Sequence, residues 1–266
     1  MYRFKGNLKK MLVSIGPPVQ YELMLGDAKI KMNDLIGDEI KFQFLNQINC
    51  VACNRAIKKS FGQGFCYPCF INSPMNSECI IRPELCEAHL GIGRDPEWEK
   101  VNHLQEHIVY LALSGGLKVG VTRHDQIPIR WIDQGASEAI VIARTPYRAL
   151  AGEIEVFLKN HLSDKTNWQR MLKNVNPENV SLSKEKDRIG LILKNKFEAY
   201  LDKNELNLKF EYPVDIYPQK IKSLKFDKFD EIKGVLTGIR GQYIYLDNYN
   251  VLNIRNQSGY LVSLEY

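Results

Sequence analysis

The sequence predicts an α+β protein: a small antiparallel sheet with flanking helices, in the order strand, strand, helix, strand, helix. A zinc-ribbon-like segment precedes this core, and β-rich regions frame the chain at both ends. Three observations predict it. All six cysteines of the 266 residues fall between Cys50 and Cys86. Residues 107–162 alternate β-rich runs with helical periods. The flanking stretches read as short strands separated by turns. The division that follows is 1–49 as an N-terminal β-rich region, 50–106 as the zinc-binding segment, 107–175 as the core, and 176–266 as a helix followed by a β-rich region.

Composition excludes several classes at once. A hydrophobic share of 44% and a charged share of 25% are those of a globular chain, neither disordered nor fibrous. No apolar run reaches the roughly 18 residues of a membrane span. The basic N-terminus has too short an apolar stretch for a secretory signal. These features predict a cytoplasmic protein with no membrane partner. The net charge is +5, and residues 107–175 hold nine basic against six acidic side chains. That local excess suits a nucleic-acid partner and equally suits a solvated surface.

In the N-terminal region Ile40, Phe42 and Phe44 alternate with polar residues, the period of a half-buried strand. Gly16-Pro17-Pro18, Gly26-Asp27 and Gly37-Asp38 supply the turns around it. The next segment, 50–106, lacks long periodic runs and is rich in Cys, Gly and Pro. Such a stretch has too little apolar area to fold without a metal.

Cys50-Val51-Ala52-Cys53 and Cys66-Tyr67-Pro68-Cys69 form two C-x2-C knuckles twelve residues apart. Two intervening residues let both thiolates of a knuckle reach one ion, so the four cysteines predict a tetrahedral structural Zn2+ site. Gly62 and Gly64 suit the turn of the return loop. A four-thiolate site is closed to substrate and predicts no catalysis. Cys79, Cys86, His89 and His103 offer donors for a second zinc, or are buried small residues with satisfied histidines.

In the core, Ile108 to Leu113 and Leu117 to Thr122 flank Ser114-Gly115-Gly116 as two strands of a hairpin. Pro128 to Asp133 reads as a short helix stopped by Gly135. Ala139 to Ala143 is a third strand. Thr145 as N-cap and Pro146 at the first helical position open a helix to about Leu162. Its apolar face holds Tyr147, Leu150, Ile154, Phe157, Leu158 and His161. Beyond it, 184–204 reads as a helix with Ile189, Ile192, Leu193, Phe197 and Leu201 as its stripe. Strands return from Leu206 to Tyr266, where Tyr243, Tyr245, Tyr249 and Tyr260 either pack a half-buried sheet or stack on bases.

The core carries Ile108-Val109-Tyr110 on one strand and Lys118-Val119-Gly120 on the next, then Arg130 on the short helix and Glu155 on the long one. In that order these resemble the GIY-YIG nuclease superfamily over about 55 residues. Lys118 stands where the second motif has tyrosine, a form found in some branches. Longer pieces are similar to a family of microbial proteins of unknown function, of the domain-of-unknown-function 2797 type. Those pieces are CIIRPELC at Cys79–Cys86, VYLA at Val109–Ala112, KVGVTR at Lys118–Arg123 and RWIDQGA at Arg130–Ala136.

The nuclease resemblance implies divalent-metal-dependent hydrolysis of phosphodiester bonds in DNA or RNA. Glu155 would hold Mg2+ or Mn2+, Arg130 would offset charge on the phosphate, and Tyr110, His124 or His107 would orient or deprotonate water. Lys118 joins Tyr110, Arg130 and Glu155 in this catalytic set. Lys118, Arg123, His124, Arg130 and Trp131 are the nucleic-acid-binding candidates. Both Glu153 and Glu155 flank the helix's apolar face; only the resemblance ranks Glu155 first. A binding module without activity and a protein-interaction scaffold are the other readings.

Overall fold

The computed structural model describes residues 2–162 and 167–266. The chain is mixed α+β and folds as two compact units, Met1–Ile71 with Glu211–Tyr266, and Asn72–Phe210. The boundary between 71 and 72 passes through the stretch 50–106, so its two cysteine groups belong to different units. The N- and C-terminal β-rich regions, by contrast, make one unit.

In that first unit an eight-stranded sheet runs Arg3–Asn7, Tyr260–Glu265, Glu39–Asn49, Glu231–Arg240, Tyr243–Leu246, Asn250–Asn253, Lys222–Leu224, with Ala56–Ile57 added alongside Glu39–Asn49. Neighbours are antiparallel except the last pair on that path. The alternation read at Ile40 and Phe42 is real: both are fully buried, while their neighbours Glu39 and Lys41 are not. A separate three-stranded sheet holds Leu12–Ser14, Gln20–Leu25 and Ala28–Lys31. The late tyrosines mostly pack: Tyr245 and Tyr260 are buried, and the Tyr260 hydroxyl donates to Asp227 Oδ1 at 2.6 Å. Tyr249 stays exposed.

The second unit contains the expected strand, strand, helix, strand, helix order. Its sheet runs Asn207–Lys209, Glu138–Thr145, His107–Leu113, Leu117–Arg123, all antiparallel. Gly115 bridges the hairpin with φ +69°, a conformation that costs other residues energy. Val109, Leu111 and Leu113 alternate into a core shared with Leu150, Ile154 and Leu158 of the helix Arg148–Leu158, and with Ile189, Leu193 and Phe197 of the helix Leu182–Phe197. Ile108, Tyr110 and Ala112 take the opposite face, where Trp131 of the short helix Ile129–Asp133 lies 5.7 Å from the Tyr110 ring.

Two helix boundaries differ from the sequence reading. Thr145 remains in its strand and its hydroxyl donates to the carbonyls of His107 (3.3 Å) and Tyr147 (3.1 Å). Tyr147 is still extended (φ −156°, ψ 164°) and takes the N-cap position without a side-chain bond, so the helix starts at Arg148, two residues after Pro146, and ends at Leu158. The helix expected over 184–204 spans Leu182–Phe197, capped by Ser181, whose side chain accepts from the Lys184 N–H.

Candidate metal centres and active site

The first cysteine group grows from a strand end. Strand Glu39–Asn49 delivers Cys50, and Asn54 at φ +58° turns the chain back so that the Cys50 N–H donates to Arg55 O at 2.9 Å. The return loop depends on Gly64, whose φ is +107° and whose Cβ would fall 2.4 Å from Val51 Cγ1. Cys69 follows on the short helix Tyr67–Asn72. All four sulfurs lie within 4.8 Å of one another. A tetrahedral zinc with Zn–S near ~2.3 Å sets its sulfurs about 3.8 Å apart, and Cys53 and Cys66 are 3.8 Å apart.

The electrostatics suit a metal ligand set. Burial works against a charged Cys50, but backbone N–H groups of Cys66, Cys53 and Ala52 outweigh it and hold its pKa at about 6. The Cys66 N–H reaches Cys50 Sγ at 3.2 Å. Its hydrogen bond with Cys66, with burial second, pushes Cys69 up to about 12, as expected when several thiols share few protons. Cys50, Cys53, Cys66 and Cys69 could therefore hold one ion.

The second group is Cys79, Cys86, Glu99 and His103, all buried, with their donor atoms within 4.8 Å of one another. His89 is not in it. Its ring is exposed and stacks on Tyr147 at 5.0 Å, so this candidate ligand is corrected to Glu99. Glu99 and His103 sit four apart on the helix Pro96–His103, which puts both on one face. That Glu-x3-His spacing was the only sequence signal for Glu99. Hydrogen bonding from Cys79 leads the effects that hold Cys86 down at about 4, and His103 adds to it; the Cys79 thiol is driven up in return.

The polar residues of the core converge as well. Tyr110 is buried, and its hydroxyl donates to Gln134 Oε1 at 2.9 Å. The Lys118 ammonium, also buried, donates to the same oxygen. Gly120 pairs with Tyr110 across the strands, and any Cβ there would lie 2.6 Å from the Tyr110 hydroxyl. The motif glycine is thus what gives the phenol room. Burial raises the Tyr110 pKa; Arg130 acts to lower it and Glu155 to raise it, so all three share one electrostatic environment. Glu155 is buried and Glu153 is exposed, which separates the two glutamates that periodicity left open. Sequence reasoning missed Gln134, although it ends the short helix just before the positive-φ Gly135.

The outer candidates have other partners. Trp131 is buried and packs between Tyr110 and Phe210, so it is corrected from a nucleic-acid-binding candidate to a core residue. Arg123 contacts Asn102 and pairs with Asp125 at 3.3 Å. His124 and Arg144 both meet Glu106 Oε1 at 2.9 Å. His107 is fully buried; burial lowers its pKa to about 4, while Nδ1 lies 2.8 Å from Gln105 O. Its charged neighbours are Arg148, His103 and Cys86, so it lies by the second cysteine group and is corrected from a candidate base.

The family described as protein of unknown function (DUF2797) matches residues 37–262. The chain belongs to this family. Its match spans strands of the first unit and the whole of the second, both cysteine groups and the Tyr110 cluster included. No curated protein and no solved structure matches the chain. Among the described residues no helix is long and apolar enough to cross a membrane.

Proposed function

We propose that this protein is a zinc-containing nucleic-acid-processing protein whose second unit hydrolyses phosphodiester bonds in the manner of the GIY-YIG nucleases it resembles. The observation that carries this reading is that Arg130 and Glu155, from two other elements, both act on the electrostatics of the buried Tyr110 hydroxyl, with Glu155 buried and Arg130 half-buried. Isolated structural roles would not require a shared environment. The sheet order, with the first motif's strand between the second motif's strand and the third, is compatible with the same reading.

In this reading Arg130 binds and neutralises the phosphate. Tyr110, held by Gln134, orients the attacking water through its hydroxyl. Lys118 replaces a phenol by a cation and adds positive charge beside that hydroxyl. Glu155 is the residue that would hold Mg2+ or Mn2+. No group of three His, Cys, Asp or Glu forms around it among the described residues, which fits an ion retained by one carboxylate together with waters and substrate oxygens. When bound, that ion supplies Lewis-acid polarisation of the phosphodiester. The first zinc is structural and holds the 50–69 loop.

The test is a panel of labelled DNA and RNA, single- and double-stranded, incubated with the protein and Mg2+ or Mn2+. Cleavage is expected, abolished in Glu155→Gln and slowed about 100-fold in Arg130→Ala. Tyr110→Phe should be slowed, and Glu153→Ala should be unaffected. Wild-type protein that leaves every substrate uncut but binds it with a steep loss at moderate salt is a binding module. Absence of both cleavage and binding sinks the nucleic-acid reading altogether.

A further inference from the structure

The four donors of the second group pose a question that burial alone does not answer. Cys79, Cys86, Glu99 and His103 are all shut off from solvent, Glu99 and His103 at 2% exposure each. A carboxylate enclosed beside thiols costs several kcal/mol unless a cation offsets it. Arg148 is a buried cation next to the cluster, but it donates instead to the carbonyls of Cys79 (2.9 and 2.7 Å) and Ile80 (3.0 Å).

The geometry fits a metal better than a hydrogen-bonded cluster. His103 Nδ1 lies 3.4 Å from Cys86 Sγ, 3.9 Å from Cys79 Sγ and 3.7 Å from Glu99 Oε2. One ring nitrogen facing three donors at once cannot satisfy them with a single proton. A tetrahedral zinc with Zn–S near ~2.3 Å and Zn–N near ~2.0 Å separates sulfur from nitrogen by about 3.5 Å. The two sulfur–nitrogen distances bracket that value.

The supporting residues fix each donor for one role. Glu99 Oε1 accepts from the Arg94 N–H at 3.0 Å and from Ser77 Oγ at 3.3 Å, leaving Oε2 toward the cluster. Gly93 makes this approach possible, since a Cβ there would sit 2.3 Å from Glu99 Oε2. Trp98 meets the His103 ring edge-on at 5.4 Å and holds its orientation. Asp95 caps the helix that carries both residues, accepting from the Trp98 N–H.

We infer that Cys79, Cys86, Glu99 and His103 hold one zinc ion as a second metal centre. Two thiolates and one carboxylate around a divalent ion leave a single negative charge, which the Arg148 guanidinium balances from outside the ligand shell. The centre also fastens the segment between its cysteines. Pro83 and Glu84 lie so close to Gly152 that a Cβ on it would meet Glu84 N at 2.1 Å. Gly152 is on the same helix as Glu155, three residues earlier. The inference rests on the donor geometry alone and survives if the chain cuts no nucleic acid.

The experiment is elemental analysis with zinc-edge X-ray absorption on the full chain, purified without chelator. Two zinc ions per chain are expected. Their averaged environment should hold three sulfurs and one nitrogen or oxygen, with outer-shell scattering from imidazole. Glu99→Ala and His103→Ala should each lose one equivalent to a chelator while retaining an all-sulfur ion. If either variant is insoluble, the wild-type spectrum decides the matter. One zinc per chain with four sulfur ligands and no imidazole signal would overturn the inference. So would a second equivalent that both variants retain unchanged.

Discussion

The two cysteine groups of this chain meet the same chemical requirement in opposite ways. The first, at Cys50, Cys53, Cys66 and Cys69, is built from two knuckles in a loop, with Cys53 exposed and Cys69 half-buried. Between residues 50 and 71 only Cys50, Gly64, Phe65 and Cys66 are buried. The second group is enclosed on all sides and shares a small apolar cluster with Ala88, Ala149 and Tyr147. A loop without a core needs its ion in order to fold. A centre packed against a helix is supported by its surroundings as well.

The largest effect should come from breaking the first group. Cys66→Ser removes a buried ligand from a segment whose only buried large side chain outside the cysteines is Phe65. Structural zinc binding is worth about 10–16 kcal/mol in small zinc folds, far above what one phenylalanine supplies at roughly 1.5–3 kcal/mol. The variant should lose one zinc equivalent, and residues 50–71 should become the first site of cleavage in limited proteolysis. Retained zinc with a resistant loop would show that the segment holds its shape without the metal.

Arg148 tests the enclosed group at a lower magnitude. Its guanidinium donates to the Cys79 and Ile80 carbonyls, and burial pushes its pKa down while the neighbouring cysteines push it up. Arg148→Met keeps most of the volume and leaves two carbonyls without their donor. At about 1–3 kcal/mol for each unsatisfied buried group, a loss of roughly 2–6 kcal/mol is expected in urea unfolding. The zinc of the second centre should leave faster under chelator, and that of the first should not. Equal release rates from both would mean that Arg148 braces only the backbone.

These contrasts also explain what the sequence made legible. The four-thiolate group was readable because each knuckle is two residues wide and both lie on one loop. The hairpin was readable because period-two runs flank a Gly-Gly turn. Glu99 was not, because it reaches Cys86 from a helix whose direction no local pattern specifies. His89 had the better local spacing, yet its ring stacks on Tyr147 instead. Trp131 read as an available aromatic, and tertiary burial overrode that. The joining of both chain ends was hidden for a similar reason. The Asn7 side chain bonds Gly259 O across 252 positions, and no window on the sequence spans such a pairing. Thr145 shows a subtler failure: the chain stays extended through Tyr147, and the helix begins without it.

The smallest effect sets two helical glycines against each other. In an exposed helix interior, Gly→Ala stabilises by about 0.5–1 kcal/mol because alanine loses less backbone entropy on folding. Gly190, in the helix Leu182–Phe197, has open space where its Cβ would go. Gly190→Ala should therefore raise the urea midpoint by an amount in that range. Gly152 has the same helical setting, but its Cβ would fall 2.1 Å from Glu84 N and 2.4 Å from Pro83 C, both backbone atoms. Backbone held by Cys79 and Cys86 on either side has little freedom to retreat. Overpacking of this kind costs about 1–3 kcal/mol, which exceeds the propensity gain, so Gly152→Ala should lower the midpoint. The sign is what matters. If Gly152→Ala stabilised the protein as Gly190→Ala does, the segment between the two cysteines would be free to shift. The enclosed group would then be no more firmly seated than the loop-borne one.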